Sequence, residues 1–189
     1  MYTGIKEFDR ITGGIPDKNT ILVEEELGSM KSIFAQKVAS ETSKNSGKVL
    51  YITRRRIEEI TEEMMRYGMK PDGIEFVDTL YKGDYDLIIM DHFSITFVHS
   101  EIDEIINILN DLKISDAAVL LLSDIGILGE RQESVARAMV DGVIRFRFED
   151  HKDRIYRTII IPKFRNAVDA IIPFTIDESG ISIDTRKRF

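Results

Sequence analysis

Apolar and polar residues follow two rhythms along this chain, and the change between them divides it. Ile5, Phe8 and Ile11 in "GIKEFDRIT" recur at helical spacing and predict a helix over 4–12. The glycines and proline of "GGIPDKN" end it. Residues 20–24 form an apolar run of strand length, and Ile33, Phe34, Val38 and Ala39 then mark the buried stripe of a helix from Lys31 to about Ser46. "VLYIT" predicts a second strand, "IEEITEEMMRYGM" an amphipathic helix stopped by Gly68 and Pro71, and "IEFVD" a short strand. "YDLIIMD" and "AAVLLLSD" are apolar throughout, as strands buried on both faces are. Between them "EIDEIINILNDLK" carries a helical stripe through Ile102, Ile105, Ile106, Leu109 and Leu112, and "ERQESVARAMV" predicts one more helix.

The rhythm then switches to strict alternation. "GVIRFRFEDHKDRIYRTIIIPKF" holds two alternating runs around the polar turn "EDHKD", a hairpin with Ile144, Phe146 and Phe148 on one face and Arg145 and Arg147 on the other. "FTIDESGISI" predicts a last hairpin. Strands alternating with helices, then antiparallel strands, imply an α/β fold with a mainly parallel central sheet flanked by helices and antiparallel strands at the C-terminal edge. No long linker, repeat or low-complexity stretch interrupts the chain, which is expected to form a single domain over 1–189.

Composition narrows the function classes. A formal charge of -7 argues against broad binding to nucleic acid or anionic membranes through net charge, and the basic tail "TRKRF" reads as a solvated terminus. There are no cysteines, hence no disulfides and no thiolate chemistry, which suits the cytoplasm. The longest apolar runs are too short to span a bilayer, and the start of the chain lacks the apolar core of a signal sequence. His92, His99 and His151 are scattered without the spacing of a metal site.

The candidate chemistry sits between the first strand and the following helix. A phosphate loop, G-x-x-x-x-G-K-[ST], needs glycines so that the backbone turns tightly and aims its N–H groups inward. Its lysine reaches the phosphates, its hydroxyl serves Mg²⁺, and the helix N-terminus favours an anion. The register Glu25-Glu26-Leu27-Gly28-Ser29-Met30-Lys31-Ser32 keeps the lysine and the hydroxyl, but Glu25 and Met30 stand where both glycines belong. Downstream, "YDLIIMD" ends in Asp91, which fits a Walker B strand; the other reading is a carboxylate that caps the next turn. Ser123 ends the strand beyond it, as a polar sensor or as a partner for its own turn.

With these pieces in order, the chain resembles the KaiC/RadA-like branch of the RecA-superfamily ATPases. "TGIKEFDRITGGIP" is similar to that family's opening signature, "GKVLYIT" to its second strand and "LLLSDIG" to the strand beyond Walker B. "VARAMVDGVIRFRFEDHKDRIYRTIIIPKFRNA" resembles its closing block with a K-x-R motif at Lys163 and Arg165. The resemblance implies a RecA-like P-loop NTPase fold, Mg-ATP as cofactor, and rings or filaments in which Lys163 and Arg165 reach toward a neighbour's nucleotide. On that pattern Gly28, Ser29, Lys31, Ser32, Asp91 and Ser123 are the nucleotide-binding candidates.

Two departures weigh against a working site. The family carries a glutamate pair after the second strand to polarise the attacking water, and here "TRRRIEE" puts Arg55 and Arg56 there. Arginine does not accept a proton in a protein, and Glu58 and Glu59 lie about a turn into the next helix. The loop meanwhile gains Glu24, Glu25 and Glu26. A carboxylate ~5 Å from one phosphate charge is repelled by roughly 3 kcal/mol at an effective dielectric near 20. The expectation is a degenerate homologue without ATPase activity and without a bound cofactor or metal. It would act as a regulatory or assembly partner of itself or of an active RecA-like paralogue. Two alternatives are ATP binding without turnover through Lys31, Ser32 and Asp91, and an active ATPase in DNA recombination, repair or motor assembly. The inverted charges also suggest that Glu24, Glu25 and Glu26 pair with Arg54, Arg55 and Arg56 to close the site.

Overall fold

The computed structural model describes all residues other than 27, 29, 82, 152–153, 165–169 and 184–189, with the backbone alone at 114, 151 and 154. Nine strands line up in the order β3-β2-β4-β5-β1-β6-β7-β8-β9. These are β1 (Thr20–Glu25), β2 (Val49–Ile52), β3 (Ile74–Val77), β4 (Leu87–Met90), β5 (Ala118–Asp124), β6 (Gly142–His151), β7 (Arg154–Lys163), β8 (Ala170–Asp177) and β9 (Gly180–Ser182). From β3 to β6 every pairing is parallel, and from β6 to β9 every pairing is antiparallel. The α/β architecture expected from the sequence is therefore the observed one.

The helices are α1 (Lys6–Thr12), α2 (Lys31–Lys44), α3 (Ile57–Arg66), α4 (Phe93–Thr96), α5 (Ile102–Ile114) and α6 (Glu130–Met139). Parallel strands need a crossover that returns to the same end, and the helices supply it while burying both faces of the sheet. One core places Phe8 of α1 and Ile33, Phe34 and Val38 of α2 against Val23, Tyr51, Ile89, Leu122 and Phe146. The other places Ile105, Leu109 and Leu112 of α5 and Ala136 of α6 against Leu22, Leu50, Ile88 and Leu121. Burial on both faces explains why β2, β4 and most of β5 read as unbroken apolar runs.

Two details depart from the expected pattern. The short α4 after β4 went unpredicted, because four residues carry no measurable period. Ile144 and Phe146 of β6 are fully buried as expected, but Phe148 on the same face is 36% exposed. β6 pairs β1 as far as Phe146 opposite Glu25, and from Arg147 on it is β7 that pairs it.

Position in the sheet decides the site. The chain leaves β1 for β2, on the far side of β4 and β5, and later returns past β1 to β6. The C-terminal ends of β1, β4 and β5 thus face the crevice where open α/β sheets bind ligands. Among the described residues no helix is long and apolar enough to cross a membrane.

Candidate functional site

Glu25 ends β1, and α2 starts at Lys31. Met30, directly before α2, adopts φ 84 and ψ 28, a left-handed conformation costing roughly 1–2 kcal/mol for a residue with a Cβ. Its side chain rests against the main core, which offsets part of that strain. Gly28 also has a left-handed φ of 92. Gly28 and Met30 thus both turn through the left-handed region just before α2. Ser29 lies outside the described residues.

Lys31 is 5% exposed. Its Nζ donates to Glu25 Oε1 at 2.8 Å and to Asp124 Oδ1 at 2.6 Å, and its backbone N–H donates to Glu25 Oε2 at 2.8 Å. Glu25 and Asp124 are neighbours because β1 and β5 pair in a register that sets them side by side. Ser94 of α4 accepts the Asp124 N–H at 2.9 Å, and Ile125 N–H donates to the Glu25 carbonyl.

Successive residues of a strand point to opposite faces, so Glu24 faces away from α2. Its carboxylate, 2% exposed, takes Arg137 of α6 at 2.8 Å on one oxygen and Arg145 of β6 at 2.6 Å on the other. Arg145 stands beside Glu24 in the β1–β6 register, and Arg137 also binds Glu133 at 2.9 Å. Burial works against the charge on Arg137, but the hydrogen bond and the charge of Glu24 outweigh it and raise its pKa. Glu26 lies 3.5 Å from Arg147.

The arginine run finds other partners. Arg54 is exposed. Arg55 Nη1 donates to Glu63 Oε2 at 2.9 Å, an oxygen that also accepts Gln36 Nε2 at 2.7 Å, and Arg56 pairs with Glu59 at 2.7 Å. Among the described ion pairs, Glu24, Glu25 and Glu26 meet Arg137, Arg145, Lys31 and Arg147, and Arg55 and Arg56 meet Glu63 and Glu59, so the expected pairing of Glu24, Glu25 and Glu26 with Arg54, Arg55 and Arg56 is not among them. β4 and β5 lie between β1 and β2, which separates the two backbones by roughly 14 Å at ~4.8 Å per strand. Partners one strand away, or on the next helix, are nearer.

Asp91 is 3% exposed and receives Thr53 Oγ1 at 3.3 Å. His92, with φ 60, brings Nδ1 to 3.3 Å from Asp91 Oδ2, a contact short of hydrogen-bond alignment. Asp91 raises the His92 pKa against the opposing effect of burial. Ser123, 5% exposed, is beside Glu24 on β5, and Ser32 is half-buried in the first turn of α2. The fold therefore brings Lys31, Ser32, Asp91 and Ser123 to one rim. Lys163 of β7 lies apart from them, its Nζ donating to the carbonyls of Arg137, Ala138 and Val140 at 3.3, 3.2 and 2.6 Å, where α6 ends. Arg165 lies outside the described residues.

Sequence reasoning did not assign Asp124, Glu63, Arg137 or Arg145 to the site. Asp124 carried one usable signal, an acid at the end of an apolar strand. The others depend on sheet order and register, which no local pattern encodes.

The family model for the KaiC ATPase matches residues 1–101 and 96–188. No curated protein matches the chain. Among solved structures, the KaiC-like protein PH0186 from the hyperthermophilic archaeon Pyrococcus horikoshii OT3 aligns with a TM-score of 0.84 at 19% identity, over 97% of this chain and 98% of that one. The flagellar accessory protein FlaH from Methanocaldococcus jannaschii aligns with a TM-score of 0.84 at 17% identity, over 94% and 95%. At these identities the structures speak for the fold. The two matched spans run through the strand–loop–helix, the Asp91 strand and the closing hairpin, and on them the chain belongs to the KaiC ATPase family.

Proposed function

We propose that this KaiC-family domain does not hydrolyse ATP and acts in the cytoplasm as a regulatory or assembly partner, of itself or of an active RecA-like paralogue. The observation that carries this reading is the rim after β2. Where the family's glutamates would polarise water, Arg55 holds out a guanidinium bound to Glu63. Burial opposes its charge, but Glu63 more than compensates, so its pKa rises and it stays a cation. A guanidinium cannot take a proton from water. Glu63 itself is engaged by Arg55 and Gln36, and Glu59 by Arg56. Phosphate release from Mg-ATP by the purified full chain tests the reading. The expected rate equals the buffer blank. Turnover above the blank that disappears in Asp91→Ala would overturn it.

The alternative, ATP binding without turnover, is favoured by Met30 in its left-handed conformation and by Lys31, Ser32 and Asp91 on one rim. Calorimetry with Mg-ATP separates the two. No heat of binding is expected, and a micromolar dissociation constant, about -8 kcal/mol, would promote the alternative.

A further inference from the structure

The family implies Mg-ATP at this rim, and the residues present do not fit it. A phosphate would need the N–H groups that open α2 and a free lysine ammonium. The Lys31 N–H is already given to Glu25 Oε2, and the ammonium lies between Glu25 Oε1 and Asp124 Oδ1. The Lys31 side chain is 6% exposed and the Glu25 side chain 9%, so little water mediates the contact. Two carboxylates against one ammonium leave the spot with net negative charge, which repels a phosphate.

We infer that Glu25 is a built-in anion that both closes the start of α2 to a nucleotide phosphate and holds Lys31 in place without one. The inference rests on the reading that this rim is not a working ATPase site, and it names what occupies the rim instead. The Glu25 carboxylate makes the two contacts a phosphate oxygen makes in a phosphate loop, one to the N–H at the helix start and one to the lysine. It is positioned from behind. Glu24, the preceding residue, is clamped on the opposite face by Arg137 and Arg145, and the Glu25 carbonyl accepts Ile125 N–H. The first glycine of the motif has thus become an autoinhibitory side chain. The second, Met30, keeps the backbone turn that brings Lys31 back onto Glu25. A domain built this way stays in one state whatever the nucleotide level, as a constitutive assembly partner requires.

The test is anion complementation, read by the thermal midpoint of the full chain in pyrophosphate against sodium chloride of equal ionic strength. The wild-type midpoint should be the same in both. Glu25→Ala should melt about 5 °C lower, and pyrophosphate should restore part of that loss where chloride does not. Glu25→Ala with Lys31→Ala should lose the response. Glu25→Gln, which keeps the shape without the charge, should respond in the same direction and covers the event that Glu25→Ala does not fold. A variant indifferent to the anion, or a wild type that responds as strongly as the variant, overturns the inference. Hydrolysis by the wild type overturns the inactivity reading, and the two failures are read on separate instruments.

Discussion

Two runs of like charge lie at the ends of two parallel strands, and the fold treats them differently. Glu24 and Glu25 end β1 and Glu26 follows it, and β1 sits between β5 and β6 in the sheet. Glu24 and Glu25 are buried, and their partners come from other elements up to 121 residues away. Arg54, Arg55 and Arg56 follow β2, next to the edge strand β3, and their partners are three and eight residues away on α3. A charge at the end of a central strand is walled in and needs a specific counter-charge, while one near the edge can turn to solvent. Equal charge density in sequence therefore gives a long-range network around buried carboxylates in one place and local pairs along a single helix in the other.

The largest test of that contrast is Lys31→Ala. It leaves the Glu25 and Asp124 carboxylates buried together without their cation, and should lower stability by about 3–5 kcal/mol in urea unfolding. In a phosphate loop that holds nucleotide the same lysine acts on the ligand, so loss of binding without loss of stability would break the comparison. Glu24→Gln should cost less, about 2 kcal/mol, because Arg137 and Arg145 are each 30% exposed and can rehydrate once released.

How far the sequence anticipates these networks depends on which interactions are local. The strands, the helical stripes of α2 and α5 and the hairpin of β6 and β7 follow from period and turn chemistry alone. The shared rim of Lys31, Ser32 and Asp91 follows once the strands are known to be parallel. The partners of the two charged runs do not. Choosing Arg145 for Glu24 requires knowing that β6 lies beside β1 in that register, and choosing Asp124 for Lys31 requires β5 on the other side. A complementary pair of charge runs is a tempting local signal, but strand order decides which charges meet.

Lys163 sharpens the comparison from a third place. Its ammonium satisfies three carbonyls at the end of α6, where a cation also suits the helix dipole. Lys163→Ala should therefore lower stability by about 1 kcal/mol, measured by urea unfolding of the isolated chain. No loss of stability, combined with a slower partner ATPase, would instead support the role across a subunit boundary.

The smallest expected effect is the most discriminating. Arg55→Ala removes a pair with Glu63 whose side chains are each 28% exposed, and should cost about 1 kcal/mol. Combined with Glu25→Ala in a double-mutant cycle, it should show no coupling beyond about 0.3–0.5 kcal/mol, since two strands stand between β1 and β2. A coupling energy well above that limit would mean that the two runs close on each other across the rim. It would place Arg55 over the phosphate loop and end the distinction between a long-range network at β1 and local pairs at β2. Strict additivity would leave Glu25 answering only to Lys31 and its neighbours, as a side chain that has replaced a ligand should.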